Sequence, residues 1–150
     1  MIYLIILITS FFTEPAESFC SCLPPGEITT EEYKSYDIIL HGKIEAAREE
    51  GRKMVYTIRV KKFYKGVGNK DFIEIDSFLE PSMCGIGFVP GDKWLIYAYK
   101  TDEGYFTDLC TRSKIIGREE NAAELRKDLE FLVKSLELRA QKISGSKRGG

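Results

Sequence analysis

The stretch MVYTIRVKKFYKG, residues 54–66, decides the predicted fold because apolar and polar residues alternate along it. The apolar residues that share one face of an extended chain are Met54, Tyr56, Ile58 and Val60. The polar residues that share the other face are Thr57, Arg59 and Lys61. Successive side chains of a β-strand point to opposite faces, so this pattern predicts an antiparallel strand with one buried face.

Four more segments are predicted to be strands, and tight turns separate most of them. They are DIILHGKIEAA (37–47), DFIEIDS (71–77), KWLIYAYK (93–100) and YFTDLC (105–110). Gly42 indicates a bend or bulge in the first of them. Ahead of them, EITTEEYKSY (27–36) predicts a short helix capped by Thr29 or Thr30. Five strands with this helix predict a mainly β protein, an OB-like Greek-key barrel.

The chain becomes helical in character after the last predicted strand. Residues 117–142 place apolar residues on one stripe, with acids early and bases late. The stripe consists of Ala122, Leu125, Leu129, Leu132, Val133 and Leu136. We expect this amphipathic helix to pack across the barrel, and the alternative is a helix that binds a partner. Residues 143–150 are predicted to be a disordered tail.

The first twelve residues, MIYLIILITSFF, are almost wholly apolar but too few for a membrane-spanning helix. They are typical of the apolar region of a signal peptide, which we place at residues 1–19, ahead of a domain over 20–116. Cleavage after Ser18 follows the small-residue pattern and leaves Phe19 first, whereas cleavage after Phe19 leaves Cys20 first. Phe19 disfavours lipid attachment at Cys20. The mature protein is therefore expected outside the cell (periplasmic or at the cell surface in a bacterium) and without a membrane anchor.

Composition and motifs give no reason to expect an enzyme. A net charge of -1 in 150 residues makes no case for nucleic acid as a partner. The chain has one histidine, His41, which we interpret as a packing residue. Glu74 and Asp76 share a strand face, where paired carboxylates are usually solvated. With no phosphate-binding loop or metal triad in the sequence, we expect no catalytic residues and no cofactor.

The chain has four cysteines, Cys20, Cys22, Cys84 and Cys110, an even number that predicts disulfides in an exported protein. A bridge between Cys20 and Cys22 would close a small strained ring and is disfavoured. The other two pairings remain open, and both join the N-terminal segment to two distant sites. Zinc binding by these thiols is disfavoured because Cys84 and Cys110 stand alone.

The order of several fragments resembles the tissue inhibitors of metalloproteinases (TIMPs). After Cys20-Ser21-Cys22 come YKSYDIILHGKI, VKKFYKG, MCGIGFVPGDKWLIYAY and DLCTRS. The chain is similar over residues 20–113 to a single-domain, bacterial-like form of this family, and more broadly to netrin-like (NTR) domains built on an OB fold. The resemblance implies two bridges, Cys20–Cys84 and Cys22–Cys110.

The resemblance also implies a secreted inhibitor of zinc metalloendopeptidases, expected to be a monomer whose partner is the protease. In the family, the backbone amine and carbonyl of the first cysteine, here Cys20, chelate the protease's zinc. Ser21 then points into the specificity pocket. The residues implied to contact the protease are Cys20, Ser21, Cys22, Leu23, Glu80, Pro81, Ser82 and Met83. The alternative is a secreted, non-catalytic netrin-like binding module with an unknown protein or glycan ligand.

Overall fold

A computed structural model describes residues 20–66 and 68–146 of the chain. The helices are α1 (Thr30–Ser35) and α2 (Ala122–Ser146), with 3-10 turns at Pro81–Met83 and Glu119–Asn121. The strands are β1 (Ile38–Glu50), β2 (Lys53–Lys65), β3 (Phe72–Phe78), β4 (Lys93–Thr101), β5 (Gly104–Phe106) and β6 (Lys114–Ile115). The predicted signal peptide, both candidate cleavage sites and residues 147–150 lie outside the described residues.

Five of the strands form a closed ring in the order β1-β2-β3-β5-β4, and β4 pairs again with β1. The pairings are antiparallel except that of β3 with β5, which joins Asp76 to Phe106 in parallel. The sixth strand, β6, adds two residues to β4 and was not expected. The prediction of a mainly β, five-stranded OB-like barrel with two helices is confirmed.

The alternating stretch forms β2 and places its apolar face inside the ring. Tyr56 and Ile58 are buried there, and Met54 and Val60 pack against the same cluster. The remaining buried members of this inner core come from the other strands and the loop before β4: Ile38, Leu40, Ile44, Ile73, Ile75, Ile86, Phe88, Ile96 and Ala98. The period of two along β2 therefore identifies the inner face, although Val55 on the other face is also buried.

Gly42 lies at an irregularity in the pairing of β1, as predicted, although the extra residue of the bulge, Lys61, is on β2. The pairing of β1 with β2 shifts register between His41 and Gly42. A Cβ atom at Gly42 would lie 2.5 Å from Cγ2 of Ile58 and 2.9 Å from the carbonyl oxygen of Arg59. Only glycine lets the two strands approach so closely, so the bulge is specified by the sequence.

The predicted strand over residues 105–110 is wrong beyond Phe106, where β5 ends. The hydroxyl of Thr107 donates to the carbonyl oxygen of Tyr97 at 2.9 Å. The carboxylate of Asp108 accepts from the backbone N–H groups of Cys110 and Thr111 at 2.8 and 3.1 Å. Such side-chain bonds to the backbone compete with a strand ladder, and here they produce a turn that carries Cys110.

Helix α1 begins at the expected cap, since Thr29 Oγ1 accepts from the N–H of Glu32 at 3.1 Å. Helix α2 covers a second core on the outside of the barrel, as its apolar stripe predicted. That core contains Tyr36, Ile39, Tyr64, Leu95, Tyr97, Leu125 and Leu132. Leu129 and Leu136 pack against it, whereas Ala122 and Val133 are exposed.

The end of α2 differs from its predicted position. The helix continues to Ser146, so residues 143–146 are helical although the sequence indicated a disordered tail from 143. Among the described residues, no helix combines the length and apolar composition that crossing a bilayer requires.

Replacing Leu132 with alanine is expected to lower the free energy of unfolding by about 2–5 kcal/mol, because the side chain is fully buried between α2 and the barrel. Val133→Ala on the same helix is the matched control, since Val133 is 39% exposed, and we expect a change below about 1 kcal/mol. Urea denaturation measures both. Equal losses in the two variants would show that α2 does not pack in this orientation.

Candidate functional site

Two disulfides, Cys20–Cys84 and Cys22–Cys110, join the start of the described chain to two loops of the barrel. Each pair has its Cα atoms 5.1 Å apart. The bridges lie side by side, with the Sγ atoms of Cys20 and Cys22 3.6 Å apart. The observed pairing is the one that the resemblance implied. All four sulfurs are therefore used as covalent links, and the described residues contain no free thiol.

The residues expected to contact a protease, 20–23 and 80–83, are brought to one surface by the bridge from Cys20 to Cys84. We call this surface, with Cys84 included, the ridge. Leu23 is 92% exposed, and Met83 is 43% exposed. Ser21, Glu80, Pro81 and Ser82 are also exposed, while Cys20 and Cys22 are half-buried. The bridge from Cys20 to Cys84 brings the two parts of the ridge together although they are 64 residues apart in sequence.

The second part of the ridge owes its shape to local backbone bonds. The N–H of Cys84 donates to the carbonyl oxygen of Pro81 at 3.0 Å, and Cys84 has a left-handed conformation with φ of 66°. A Cβ atom at Gly85 would overlap the carbonyl oxygen of Phe78, so glycine is required there. The carbonyl oxygen of Cys84 in turn accepts from the N–H of Leu109 at 2.9 Å. The loop is thus fixed before any partner binds.

Leu109 belongs to the same exposed surface and was missed in the sequence. Its side chain is 46% exposed and precedes Cys110, whose bridge reaches the ridge. Together with Leu23 and Met83 it adds apolar area next to the disulfides. The sequence did contain a sign of this role, an apolar residue directly before a cysteine. That sign was overlooked because YFTDLC was interpreted as a strand. Exposed apolar groups at one place are typical of protein-binding surfaces.

A buried ion pair between Arg112 and Asp128 fixes α2 to the turn that follows Cys110. Arg112 is 3% exposed and Asp128 is 1% exposed. The guanidinium donates from Nη2 to Oδ1 of Asp128 at 2.7 Å and from Nε to Oδ2 at 3.2 Å. This two-point geometry is the strongest form of a charged hydrogen bond. Burial alone would lower the pKa of Arg112, but the bonds to and charge of Asp128 and Glu32 outweigh it and hold the pKa above its usual value.

The same guanidinium reaches two further elements. Nη1 of Arg112 donates to the carboxylate of Glu32 in α1, with the nearer oxygen at 3.2 Å. Nη2 donates to the carbonyl oxygen of Gly26 at 2.9 Å. Gly26 lies four residues after Cys22, where the chain leaves the ridge. Arg112 therefore connects the exit of the ridge to both helices.

Two more residues of the barrel, Tyr97 and Lys114, also interact with the carboxylate of Asp128. The hydroxyl of Tyr97 donates to Oδ2 at 3.1 Å, and Nζ of Lys114 lies 3.4 Å from the same oxygen. Burial raises the pKa of Tyr97, and the charge of Asp128 raises it further, so the phenol stays a proton donor. The sequence signal was a carboxylate on the apolar stripe, between Leu125 and Leu132.

The other polar groups considered in the sequence are in ion pairs or half-buried, and Asp76 lines a pocket together with Met83 of the ridge. Glu74 is exposed and pairs with Arg48. Asp76 is half-buried and pairs with Nζ of Lys53 at 2.7 Å. His41 lies on β1 and is half-buried. Part of its side chain is therefore packed in the protein, as predicted, and part is exposed to solvent. No arrangement of a nucleophile with a base is found among these groups.

No protein-family profile and no curated protein matches the chain. A solved structure described as the crystal structure of the p204 HINb domain is similar over 61% of this chain and 47% of that one, with 11% identity and a TM-score of 0.34. The alignment thus spans less than half of that protein.

Asp128→Ala is expected to lower the free energy of unfolding by about 3–5 kcal/mol, because Arg112 and Lys114 would be left buried without their partner. Lys127→Ala is the matched control one residue earlier, since Lys127 pairs with Glu27 on the exposed surface, and it should change stability by less than about 1 kcal/mol. Thermal and urea unfolding measure both. An Asp128→Ala protein as stable as the control would show that the buried pair is not formed.

Proposed function

We propose that the protein is a secreted, TIMP-like inhibitor of zinc metalloendopeptidases, and that it is not itself an enzyme. In this proposal the ridge enters the active-site cleft of the protease. The backbone amine and carbonyl oxygen of Cys20 then take the open position on the protease's zinc. The observation that carries the proposal is the pair of adjacent disulfides, which holds Cys20 and Cys22 against the barrel.

The chemistry of zinc supports this assignment. A catalytic zinc keeps one coordination position open for water or substrate and can expand to five ligands, so a backbone nitrogen and oxygen from one residue can bind it together as a chelate. An α-amino group has a pKa of about 7.7–8.0, so a useful fraction is neutral near pH 7 and has a free lone pair. This requires that Cys20 be the first residue of the mature protein.

The rigidity of the ridge supports tight binding. Ordering a flexible side chain or loop at an interface costs about 0.5–1.5 kcal/mol per side chain. Here Cys20 and Cys22 are bridged, and the carbonyl of Gly26 is held by Arg112. Much of that ordering is therefore complete in the free protein. Ser21 and Leu23 extend from the ridge and are free to enter pockets of the protease.

The proposal predicts that inhibition depends on a free amine at Cys20. A protein that begins at Cys20 should inhibit zinc metalloendopeptidases, and the same protein with one alanine before Cys20 should not. The extension converts the amine to an amide, which does not coordinate zinc, while the disulfides and the barrel stay intact. Inhibition constants against a panel of zinc proteases, with a serine protease as the negative control, give the comparison.

A third form that begins at Phe19 separates the two cleavage sites and should behave like the alanine extension. Equal inhibition by all three forms would show that the Cys20 amine does not chelate the zinc, whereas the proposal that the protein is an inhibitor would stand. Absence of inhibition by the form that begins at Cys20, across the panel, would overturn the inhibitor proposal itself.

The alternative, a secreted non-catalytic netrin-like binding module for a protein or glycan, is favoured by one observation. A groove of about 880 Å³ runs along one side of α2, between Gly117 and Glu137, where Leu125 and Leu129 at the edge of the second core also line it. Val133 lies in it and is 39% exposed. On this alternative, binding on protein and glycan arrays survives the alanine extension and is lost in Val133→Glu. The reverse pattern contradicts it.

A further inference from the structure

Five basic side chains converge on the outer face of the barrel, from three adjacent strands. The set consists of His41 and Lys43 on β1, Arg59 and Lys61 on β2, and Lys93 on β4. They line a recess of about 240 Å³. Pockets for drug-sized ligands are larger, about 300–1,000 Å³, so the recess suits one small charged group.

The register of the sheet places three of these cations in one row. Lys43 lies directly opposite Arg59 of β2 and directly opposite Lys93 of β4. Side chains that are directly opposite share a face of the sheet, and like charges in that arrangement repel. The fold therefore contains a row of repelling cations, and an anion in the recess would relieve that repulsion.

The bulge in β1 and β2 brings a fourth cation to the recess. His41 pairs with Lys62 and Gly42 pairs with Val60, so Lys61 is the extra residue with no partner in the ladder. Bulges redirect a side chain in this way and often lie next to functional sites. Because the close approach at Gly42 tolerates no larger residue, the position of Lys61 beside His41 is built into the strands.

Carboxylates neutralise this cluster only in part. Glu45 lies 2.9 Å from Nε of Arg59 and 3.5 Å from Nζ of Lys43. Within residues 20–66 and 68–146, Lys61 and Lys93 have no carboxylate within 4.0 Å. Four permanent cations thus face one carboxylate, in a chain whose net charge is -1.

The pKa of His41 reflects the burial and the positive charge around the recess. Burial lowers the pKa of this imidazole below its usual 6.5, and the charges of Lys61 and Lys93 lower it further. His41 is therefore neutral at pH 7. The charged groups that line the recess with it are Lys61 and Arg59 of β2, Lys93 of β4, and Lys43 of its own strand. Glu45 pairs with Lys43 and Arg59. A bound anion would oppose the lysine charges and favour the imidazolium.

We propose that this recess binds a sulfate or phosphate monoester, such as the charged group of a sulfated or phosphorylated sugar. Lys61 and Lys93, which lack protein partners in the described chain, hold the anion as point charges, and protonation of His41 adds a second N–H donor and a positive charge. None of these residues belongs to the ridge, so the site is independent of the proposed inhibition.

The sole histidine of the chain makes the test direct, because its imidazole NMR signals need no assignment by mutation. The oxidised protein is titrated with glucose 6-sulfate and, separately, with glucose 6-phosphate. Chloride keeps the ionic strength constant, since salt alone screens the lysines and raises the pKa of His41. We expect saturable shifts of the His41 signals, a raised pKa of His41 at saturation, and weaker binding as the pH rises through that pKa.

Charge-removing variants identify the site. Lys61→Gln and Lys93→Gln should each weaken binding by about three- to fivefold, as expected for one surface ion contact, and the double variant by about tenfold or more. Lys134→Gln, on the exposed face of α2, is the matched control and should bind as the unmodified protein does. A preference for one ester would show which kind of sugar the recess suits. Shifts equal to those caused by chloride, or unchanged binding by the double variant, would overturn the proposal.

Discussion

The guanidinium of Arg112 is the point at which the separate parts of this molecule meet. It is almost wholly buried, and it bonds Asp128 of α2, Glu32 of α1 and the carbonyl oxygen of Gly26. A charge so far from water is tolerated only when its hydrogen-bonding groups are satisfied. Hydrophobic packing brings α2 onto the barrel, but it fixes position and angle only loosely. The directional bonds of Arg112 select one arrangement of both helices and the ridge exit.

The bonds of Arg112 explain how the C-terminal helix α2 helps to hold the ridge near the N-terminus in place. Cys20 and Cys22 are tied to the loops that carry Cys84 and Cys110. Arg112 follows Cys110 by two residues and holds Gly26, so the segment from Cys20 to Gly26 is fixed at both ends. The face of α2 that carries Asp128 and Leu132 therefore belongs to the scaffold. A rigid ridge on a closed barrel is well suited to enter the cleft of another protein.

Local pattern was enough to predict most of the barrel. Alternation along residues 54–66, the glycine at position 42 and the threonine cap at position 29 each act within a few residues, and each is found as predicted. The strand over 105–110 failed because Thr107 and Asp108 bond to groups that the local sequence does not reveal. The cysteine pairing was open from the residues alone, since counting cysteines does not pair them.

The buried ion pair was hidden for a similar reason. Arg112 and Asp128 are 16 residues apart and lie on different elements, so neither residue shows its partner in the sequence. An acid between Leu125 and Leu132 on an apolar stripe was the available sign, because an unpaired carboxylate would not be stable there. The recess at His41 was likewise hidden, since it depends on the register of β4 against β1 and on the extra residue at position 61.

A ridge held by two specific bridges is central to the proposed function, and disulfide mapping tests it most directly. The protein, kept oxidised, is digested, and electron-transfer fragmentation in a mass spectrometer then resolves which half of the Cys20–Cys22 peptide carries which partner. We predict bridges from Cys20 to Cys84 and from Cys22 to Cys110, with no free thiol. A crossed pairing, with Cys20 joined to Cys110, would contradict the ridge described here, and so would four free thiols.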